Sequence, residues 1–142
     1  IALYPSLAFF EATPVSIGRG TDFPFQVIGH NNVNIGNFTF TPVSTPGSAS
    51  KPKLMNVVLQ GEDLRRADSH GLNLRFILQW YEAFAEKDIT FFNSPKFMDK
   101  LAGTDKLRKA IIEGQSADQI KLSWRAGITK FKKNRQPYLL YD

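Results

Sequence analysis

The sequence predicts an α+β fold with a mostly antiparallel sheet, and three observations support this prediction. Short apolar runs separated by turn residues fill positions 1–61, whereas apolar residues at helical spacing begin at Leu72. A last short run, 138–141, again has the composition of a strand. Because strands come first and helices follow, we expect three to four helices from the C-terminal half to pack on the sheet. One domain, residues 1–142, is expected from the length.

Four segments of the N-terminal half are predicted to be strands: 1–10, 23–28, 38–41 and 54–61. The first contains Tyr4-Pro5-Ser6, and proline in a strand favours an edge or a bend. Residues 42–52 are rich in Pro, Ser and Gly, so an exposed loop is expected there. The Asn-rich segment 30–37 either forms turns or offers amide groups to sugar hydroxyls.

The first two predicted helices lie between residues 72 and 103. Apolar residues recur at helical spacing over 72–87, and the expected buried face consists of Leu72, Phe76, Ile77, Trp80, Tyr81 and Phe84. Ser94 and Pro95 have the composition of a helix start, as N-cap and first helical residue. Gly103 is expected to end this second helix.

Two further helices are predicted before a closing strand at 138–141. Thr104 is expected to cap the first of them, and Gly114 to end it. Ser116 and Gln119 have the spacing of a capping box for the last helix. The buried stripe of that helix is expected to comprise Ile120, Trp124, Ile128 and Phe131.

Composition narrows the possible classes of function. The net charge is +5, but residues 1–50 hold one basic residue, Arg19. The excess positive charge lies on predicted helices at 96–135, where a solvated helical face explains it better than a nucleic-acid surface. The chain has no Cys and two His, His30 and His70, so a metal site built from Cys or His is not expected. A site built mainly from carboxylates stays open, but no metal and no cofactor are predicted. No apolar run is long enough to span a membrane.

Residues 11–29 hold the densest group of candidate functional side chains. Glu11 and Arg19 flank a Gly18-Arg19-Gly20 turn, and the hydroxyl residues Ser16 and Thr21 lie beside it. Glycine adopts positive φ without a steric penalty, so this turn can project Arg19 outward. Two interpretations stay open: a polar pocket in which Glu11 and Arg19 meet a ligand, or a structural turn with an ordinary ion pair.

Residues 11–30 resemble a signature of NamZ-like exo-β-N-acetylmuramidases. These enzymes are bacterial peptidoglycan-recycling glycosidases. Those residues read E-A-T-P-V-S-I-G-R-G-T-D-F-P-F-Q-V-I-G-H. The segments 97–124 (F-M-D-K-L-A-G-T-D-K-L-R-K-A-I-I-E-G-Q-S-A-D-Q-I-K-L-S-W) and 137–141 (P-Y-L-L-Y) are also similar to the C-terminal part of that family. Two positions depart from the family pattern. Ala12 stands where glycine is usual, and Pro14, which has no amide donor, stands where asparagine is usual.

The resemblance implies that this chain is the second domain of a longer protein. Family members carry an N-terminal Rossmann-like domain, and their active site lies in the cleft between the two domains. The abrupt start of the chain inside an apolar segment favours the same interpretation. The implied activity is release of terminal non-reducing MurNAc from peptidoglycan fragments, in the periplasm or outside the cell. The isolated domain is expected to be inactive.

The resemblance also implies roles for particular residues. Glycosidases use two carboxylates, and Glu11 is the candidate here, either as the second catalytic carboxylate or as an acceptor for a sugar hydroxyl. Arg19 either pairs with Glu11 and holds it ionised, or binds the lactyl carboxylate of MurNAc as a fork. The other substrate-binding candidates are Ser16, Thr21, Gly18, Gly20, Tyr4 and His30. Asp68 and His70 are weaker candidates for which local capping is expected.

Two rival classes remain beside the glycosidase. A non-catalytic domain that binds cell-wall glycan, or serves as a scaffold, requires the same surface but no catalytic carboxylate. A nucleic-acid binder requires exposed aromatic residues beside the basic helices. We expect Trp80, Trp124 and the phenylalanines to be buried, which argues against nucleic acid as a partner.

Overall fold

A three-stranded antiparallel sheet and five α-helices make up an α+β fold in the computed structural model, which describes residues 2–67 and 71–139. The strands are β1 (Val27–His30), β2 (Phe38–Phe40) and β3 (Leu59–Asp63), in the order β1-β3-β2. Four helices come from the C-terminal half. The predicted fold class is therefore confirmed.

The central strand β3 pairs with both neighbours, and glycine makes the close pairing possible. Gly61 lies opposite Gly29 of β1 and Phe38 of β2. A Cβ on Gly61 would collide with the backbone of Ile28, and a Cβ on Gly29 would lie 2.6 Å from the Phe40 ring. The strand interior at these two positions therefore has no room for a side chain.

The two faces of the sheet contribute to different clusters. Ile28, on one face of β1, belongs to the main core with the helices, whereas Val27, on the other face, packs with Phe40 and Leu59 in a small second cluster. This alternation follows from the two-residue period of a strand. The largest fully buried side chain of the main core is Trp80.

The segment predicted as the first strand is instead helical. Helix α1 (Tyr4–Leu7) is followed by a 3₁₀ helix (Ala8–Ala12). Pro5 occupies the first turn of α1, where its missing N–H costs nothing. The spacing of buried Leu3, Leu7 and Phe10 is that of a helix face. The strand prediction was wrong because a nearly continuous apolar run concealed this period.

Two other predicted strands begin later than expected. β1 begins at Val27 rather than at 23, and β3 begins at Leu59 rather than at 54. Phe25, Leu54 and Asn56 have positive φ values of 58°, 54° and 62°. This left-handed backbone belongs to turns and cannot continue a strand. The strand predicted at 38–41 is confirmed as β2.

The helices of the C-terminal half follow their predicted order. α2 (Arg75–Ala85) buries Phe76, Ile77, Trp80 and Phe84. α3 (Pro95–Ala102) begins after Ser94, whose side chain makes no capping bond, and ends at Gly103 with φ 70°. α4 (Lys106–Ile112) has Asp105 at its N-cap position, while Thr104 Oγ1 accepts from the Lys106 N–H at 3.2 Å.

The last helix, α5 (Ala117–Arg135), begins with the predicted capping box. The N–H of Ser116 donates to the Gln119 side chain at 2.8 Å, and the N–H of Gln119 donates to Ser116 Oγ at 3.2 Å. The predicted buried stripe is only half right. Ile120 is buried, but Ile128 and Phe131 are 47% and 63% exposed, because the helix extends beyond the core.

The closing strand predicted at 138–141 does not begin at Tyr138, which is helical. Tyr138 ends a second 3₁₀ helix (Gln136–Tyr138), in which Pro137 occupies the first turn. Residues 140 and 141 lie outside the part of the chain that the structure describes. A proline at the start of a turn restricts φ to helical values, and this explains why the strand does not begin here.

Candidate functional site

Glu11 and Arg19 form an ion pair at the surface. Glu11 lies near the end of the 3₁₀ helix Ala8–Ala12, and the Arg19 Nε atom donates to Glu11 Oε1 at 2.6 Å. The Arg19 side chain is 47% exposed and that of Glu11 25% exposed. Of the two open interpretations, the ion pair is therefore present, and both charged groups remain accessible to a ligand.

The Gly-Arg-Gly turn has the predicted conformation. Gly18 and Gly20 have φ values of 82° and 80°. A Cβ on Gly18 would collide with the carbonyl of Phe23, and a Cβ on Gly20 would lie 2.5 Å from the carbonyl oxygen of Val43. Both glycines are buried while Arg19 between them is exposed. The turn thus projects the guanidinium from a closely packed base.

The hydroxyl groups of Ser16 and Thr21 shape this turn from within. Ser16 is buried, and its Oγ accepts from the Gly18 N–H at 3.3 Å. Ser16 also exchanges two backbone hydrogen bonds with Gly29, at 3.0 and 2.9 Å. Thr21 Oγ1 donates to the Gly18 carbonyl at 2.7 Å and accepts from the Phe23 N–H at 3.0 Å. Both hydroxyls are engaged within the protein, and their role as substrate ligands stays a prediction.

The structure places His30 in the core, where its ring packs against α2. Its ring lies 4.9 Å, centroid to centroid, from that of Phe84 in α2. Its Nδ1 accepts from the N–H of Asn32 at 3.1 Å. Burial lowers the pKa of His30 below its ordinary value of 6.5, which favours the neutral ring. The histidine is 5% exposed, so a ligand would reach it only after a rearrangement.

Tyr4 lies at one end of a row of aromatic and charged groups that leads to Glu11. The Tyr4 ring is 4.8 Å from the Phe25 ring, and Arg19 Cζ lies 4.9 Å from the centre of Phe25. A guanidinium at this distance from a ring face makes a favourable cation–π contact. Phe25 was not predicted as a site residue, and its φ of 58° gives no signal in the sequence.

Lys53 is the second residue at this site that sequence analysis missed. Its ammonium donates to three backbone carbonyls, those of Phe10 at 2.8 Å, Glu11 at 3.0 Å and Thr13 at 2.6 Å. Burial lowers the pKa of Lys53 below its ordinary value of 10.5, an effect that the Glu11 carboxylate opposes and Arg19 reinforces. A single lysine in a loop rich in Pro, Ser and Gly carries no sequence signature of such a role.

Two weaker candidates, a metal site and a membrane span remain to be considered. Asp68 and His70 lie outside the described ranges 2–67 and 71–139. Within those ranges, no group of three or more His, Asp or Glu side chains is placed to hold a metal ion. No helix in the described part of the chain is both long and apolar enough to cross a membrane.

Comparisons with known proteins place the chain in a family. Residues 2–141 match the family described as exo-beta-N-acetylmuramidase NamZ, C-terminal. The peptidoglycan beta-N-acetylmuramidase NamZ of Bacillus subtilis (strain 168) is 29% identical over 154 aligned positions, which cover 98% of this chain and 37% of that protein.

Two solved structures of DUF1343 family proteins from Bacteroides fragilis NCTC 9343 share the fold. One has a TM-score of 0.87 at 42% identity, covering 99% of this chain and 40% of its own. The other has a TM-score of 0.75 at 17% identity, covering 99% and 42%. This chain spans about two fifths of the length of each of these three relatives. The chain belongs to the family of C-terminal domains of NamZ exo-β-N-acetylmuramidases.

Proposed function

We propose that the parent protein containing this chain is an exo-acting glycoside hydrolase that releases terminal non-reducing MurNAc from peptidoglycan fragments. This domain supplies one wall of the active site, and an N-terminal domain of the same protein supplies the other. The support is family membership over residues 2–141 and the similarity to a relative that is described as a peptidoglycan β-N-acetylmuramidase. Most of that relative lies outside the matched part.

The observation that carries the proposal is the accessible Glu11–Arg19 pair. A carboxylate and a guanidinium at 2.6 Å lie at the surface, with the Phe25 and Tyr4 rings beside them. Neither side chain is enclosed, since 25% of the Glu11 side chain and 47% of that of Arg19 are exposed. An open, polar and aromatic surface of this kind suits one half of a sugar site that a second domain completes.

Glu11 is the catalytic carboxylate that this domain contributes. Glycoside hydrolysis uses one carboxyl group as acid and a second as base or nucleophile. In this proposal Glu11 is the second of these, and the acid comes from the N-terminal domain. As an alternative within the same site, Glu11 accepts a hydrogen bond from a sugar hydroxyl without taking part in proton transfer.

Arg19 binds the negative charge of the substrate. Its contact with Glu11 uses Nε, which leaves the two terminal amino groups of the guanidinium as donors for the lactyl carboxylate of MurNAc. Tyr4 offers a ring face at the rim, while Ser16, Thr21 and the two glycines hold the turn in shape. Substrate binding by His30 stays a prediction, since this residue is only 5% exposed.

We propose a periplasmic or secreted location for the parent, where its peptidoglycan substrate is found. Fractionation of the native host, followed by immunodetection of the parent, checks this. Detection only in the cytosolic fraction would contradict it.

Release of MurNAc from a MurNAc–GlcNAc disaccharide tests the proposed activity. The parent protein is expected to release free MurNAc, whereas this chain alone is expected to release none, and a GlcNAc–GlcNAc disaccharide serves as control substrate. The non-catalytic alternative predicts that a folded parent binds the disaccharide, measured by calorimetry, but leaves it intact. That outcome would replace the hydrolase proposal with glycan binding.

A further inference from the structure

The loop of residues 42–56 contacts both ends of the Glu11–Arg19 site. At one end, the Lys53 ammonium contacts the carbonyls of Phe10, Glu11 and Thr13. At the other end, the Val43 N–H donates to the Gly20 carbonyl at 2.8 Å. A Cβ on Gly20 would lie 2.6 Å from Pro52 Cγ, so the loop packs directly against the turn that carries Arg19.

The backbone of this loop is bent into an uncommon conformation just after Lys53. Leu54 and Asn56 have positive φ values of 54° and 62°. The Asn56 N–H donates to the Pro42 carbonyl at 2.7 Å and closes the loop on itself. Non-glycine residues adopt such angles at a cost, and they persist where surrounding contacts impose them. The loop is therefore held in one shape, with Lys53 directed at the 3₁₀ helix.

The three carbonyls that Lys53 binds lie where a short helix ends. The Phe10 carbonyl already accepts the Thr13 N–H at 3.0 Å and the Thr13 Oγ1 hydroxyl at 2.9 Å, so the ammonium adds a further contact at this helix end. A cation at the C-terminal end of a helix is also favoured by the helix dipole. Glu11 is the middle of the three residues, so the ammonium holds the backbone on either side of its Cα. Lys53 is partly buried, which reduces competition from water for these contacts.

We propose that Lys53 is a positioning residue for the reaction, which fixes the backbone of Glu11 so that its carboxylate faces the substrate. This inference rests on the proposed function. Lys53 does not touch the substrate in this account; it acts through Glu11. Through Lys53, the 42–56 loop then supports the active site at one point and is more than a simple exposed connection.

Lys53→Met in the parent protein removes the ammonium while keeping a side chain of similar length. We expect kcat for MurNAc release to fall about tenfold or more with KM little changed, since misplacing a catalytic group by about 1 Å costs up to about 100-fold. Lys51→Met, an exposed lysine in the same loop, is the matched control and should keep the parental kcat. The loss should also be smaller in a Glu11→Gln background, because both changes affect the same group.

Amide hydrogen exchange in the same variants gives a readout independent of activity. Lys53→Met is expected to speed exchange at residues 11–16 and to leave α2 and α3 unchanged. Lys53→Arg keeps the cation and the fold, but its planar group cannot direct three donors at three carbonyls as an ammonium does, so kcat should also fall.

Any one of three results would overturn the inference. The first is a parental kcat in both Lys53 variants, and the second is a parental exchange rate at residues 11–16. The third is faster exchange throughout the molecule, because Lys53 would then have a merely structural role. A parent that is inactive with Lys53 intact refutes the proposed function and the catalytic purpose of Lys53 with it. In that case, the exchange measurement still decides whether Lys53 holds the backbone around Glu11.

Discussion

At the scale of single residues, the contact between Arg19 and Glu11 is expected to contribute little to stability. A surface ion pair contributes about 0 to 1 kcal/mol to folding, and the Arg19 side chain is 47% exposed. The same exposure leaves the guanidinium free to meet a ligand. In the proposed function, the lone basic residue of positions 1–50 is therefore expected to act mainly on an anionic substrate.

Replacing Arg19 by Lys separates charge from geometry. Lysine keeps the charge but loses the planar fork that matches a carboxylate. For the parent protein we expect KM for MurNAc–GlcNAc to rise about 10- to 100-fold, which corresponds to the loss of a hydrogen bond to a charged group. Steady-state kinetics check this, with Arg125→Lys on the exposed face of α5 as control. Unchanged kinetics in Arg19→Lys would refute the fork.

The sequence indicates a pairing of Glu11 with Arg19, and the structure brings the two side chains together, but their neighbours were not predictable. Glu11 and Arg19 stand out by their chemistry and their place in a long motif. Phe25 and Lys53 do not, because the place of Phe25 depends on a positive φ and that of Lys53 on contacts between residues about 40 positions apart. Phe25 lies within the motif, but its place depends on backbone conformation, whereas Lys53 comes from a distant part of the chain.

At the scale of elements, the Gly18-Arg19-Gly20 turn depends on close packing as well as on positive φ. Gly47 offers a matched comparison, since its φ of 80° is similar but no atom lies within 4 Å of a Cβ built on it. At Gly18 a Cβ would collide with Phe23 and would lie 2.7 Å from Val27 Cγ2. An alanine would therefore be strained by the positive φ at both positions, but it would clash with neighbouring atoms only at Gly18.

Gly47→Ala is expected to cost about 1 to 2 kcal/mol of unfolding free energy, from the left-handed backbone alone. Gly18→Ala adds overpacking and is expected to cost about 2 to 5 kcal/mol. Urea denaturation of the two variants measures both values. Equal losses would show that the turn is set by backbone conformation and not by its contacts.

The predictions for the elements succeeded where a local cap or break decided the structure. Ser116 with Gln119 began α5, and Gly103 ended α3, as expected. The prediction for residues 1–10 failed because apolar spacing alone did not separate a buried strand from a helix. The prediction for the far end of α5 failed for a different reason. A stripe shows which face is apolar, but not how far the core extends beneath Ile128 and Phe131.

At the scale of the whole molecule, surface ion pairs between Asp and Arg or Lys side chains determine part of the response of stability to acid. Arg65 holds the pKa of Asp63 down to about 2 through two hydrogen bonds, at 2.9 and 2.7 Å. Arg108 lowers the pKa of Asp99, and Lys109 lowers that of Asp105. The chain carries a net charge of +5, so protonating these groups also increases self-repulsion.

Asp63 should therefore stabilise the fold above about pH 4 and lose this effect as the pH falls towards 2. The sign follows because its folded pKa lies below the ordinary value of 3.8, so the unfolded chain takes up the proton first. A third of the side chain is exposed, so Asp63→Asn should lower Tm at pH 6 by only about 1 to 3 °C. Thermal melts from pH 6 to 2, with Asp22→Asn as control, test this. A difference as large at pH 2 as at pH 6 would contradict it.

The central claim of this account is that Glu11 is the carboxylate that this domain brings to a shared active site. The most direct measurement is kcat for MurNAc release by the parent protein and by its Glu11→Gln variant, with Asp22→Asn as a nearby control. Gln keeps the shape and removes the charge, so kcat is expected to fall at least about 100-fold while Tm changes little. A Glu11→Gln variant with parental kcat would contradict the claim and leave Glu11 as a structural ion pair.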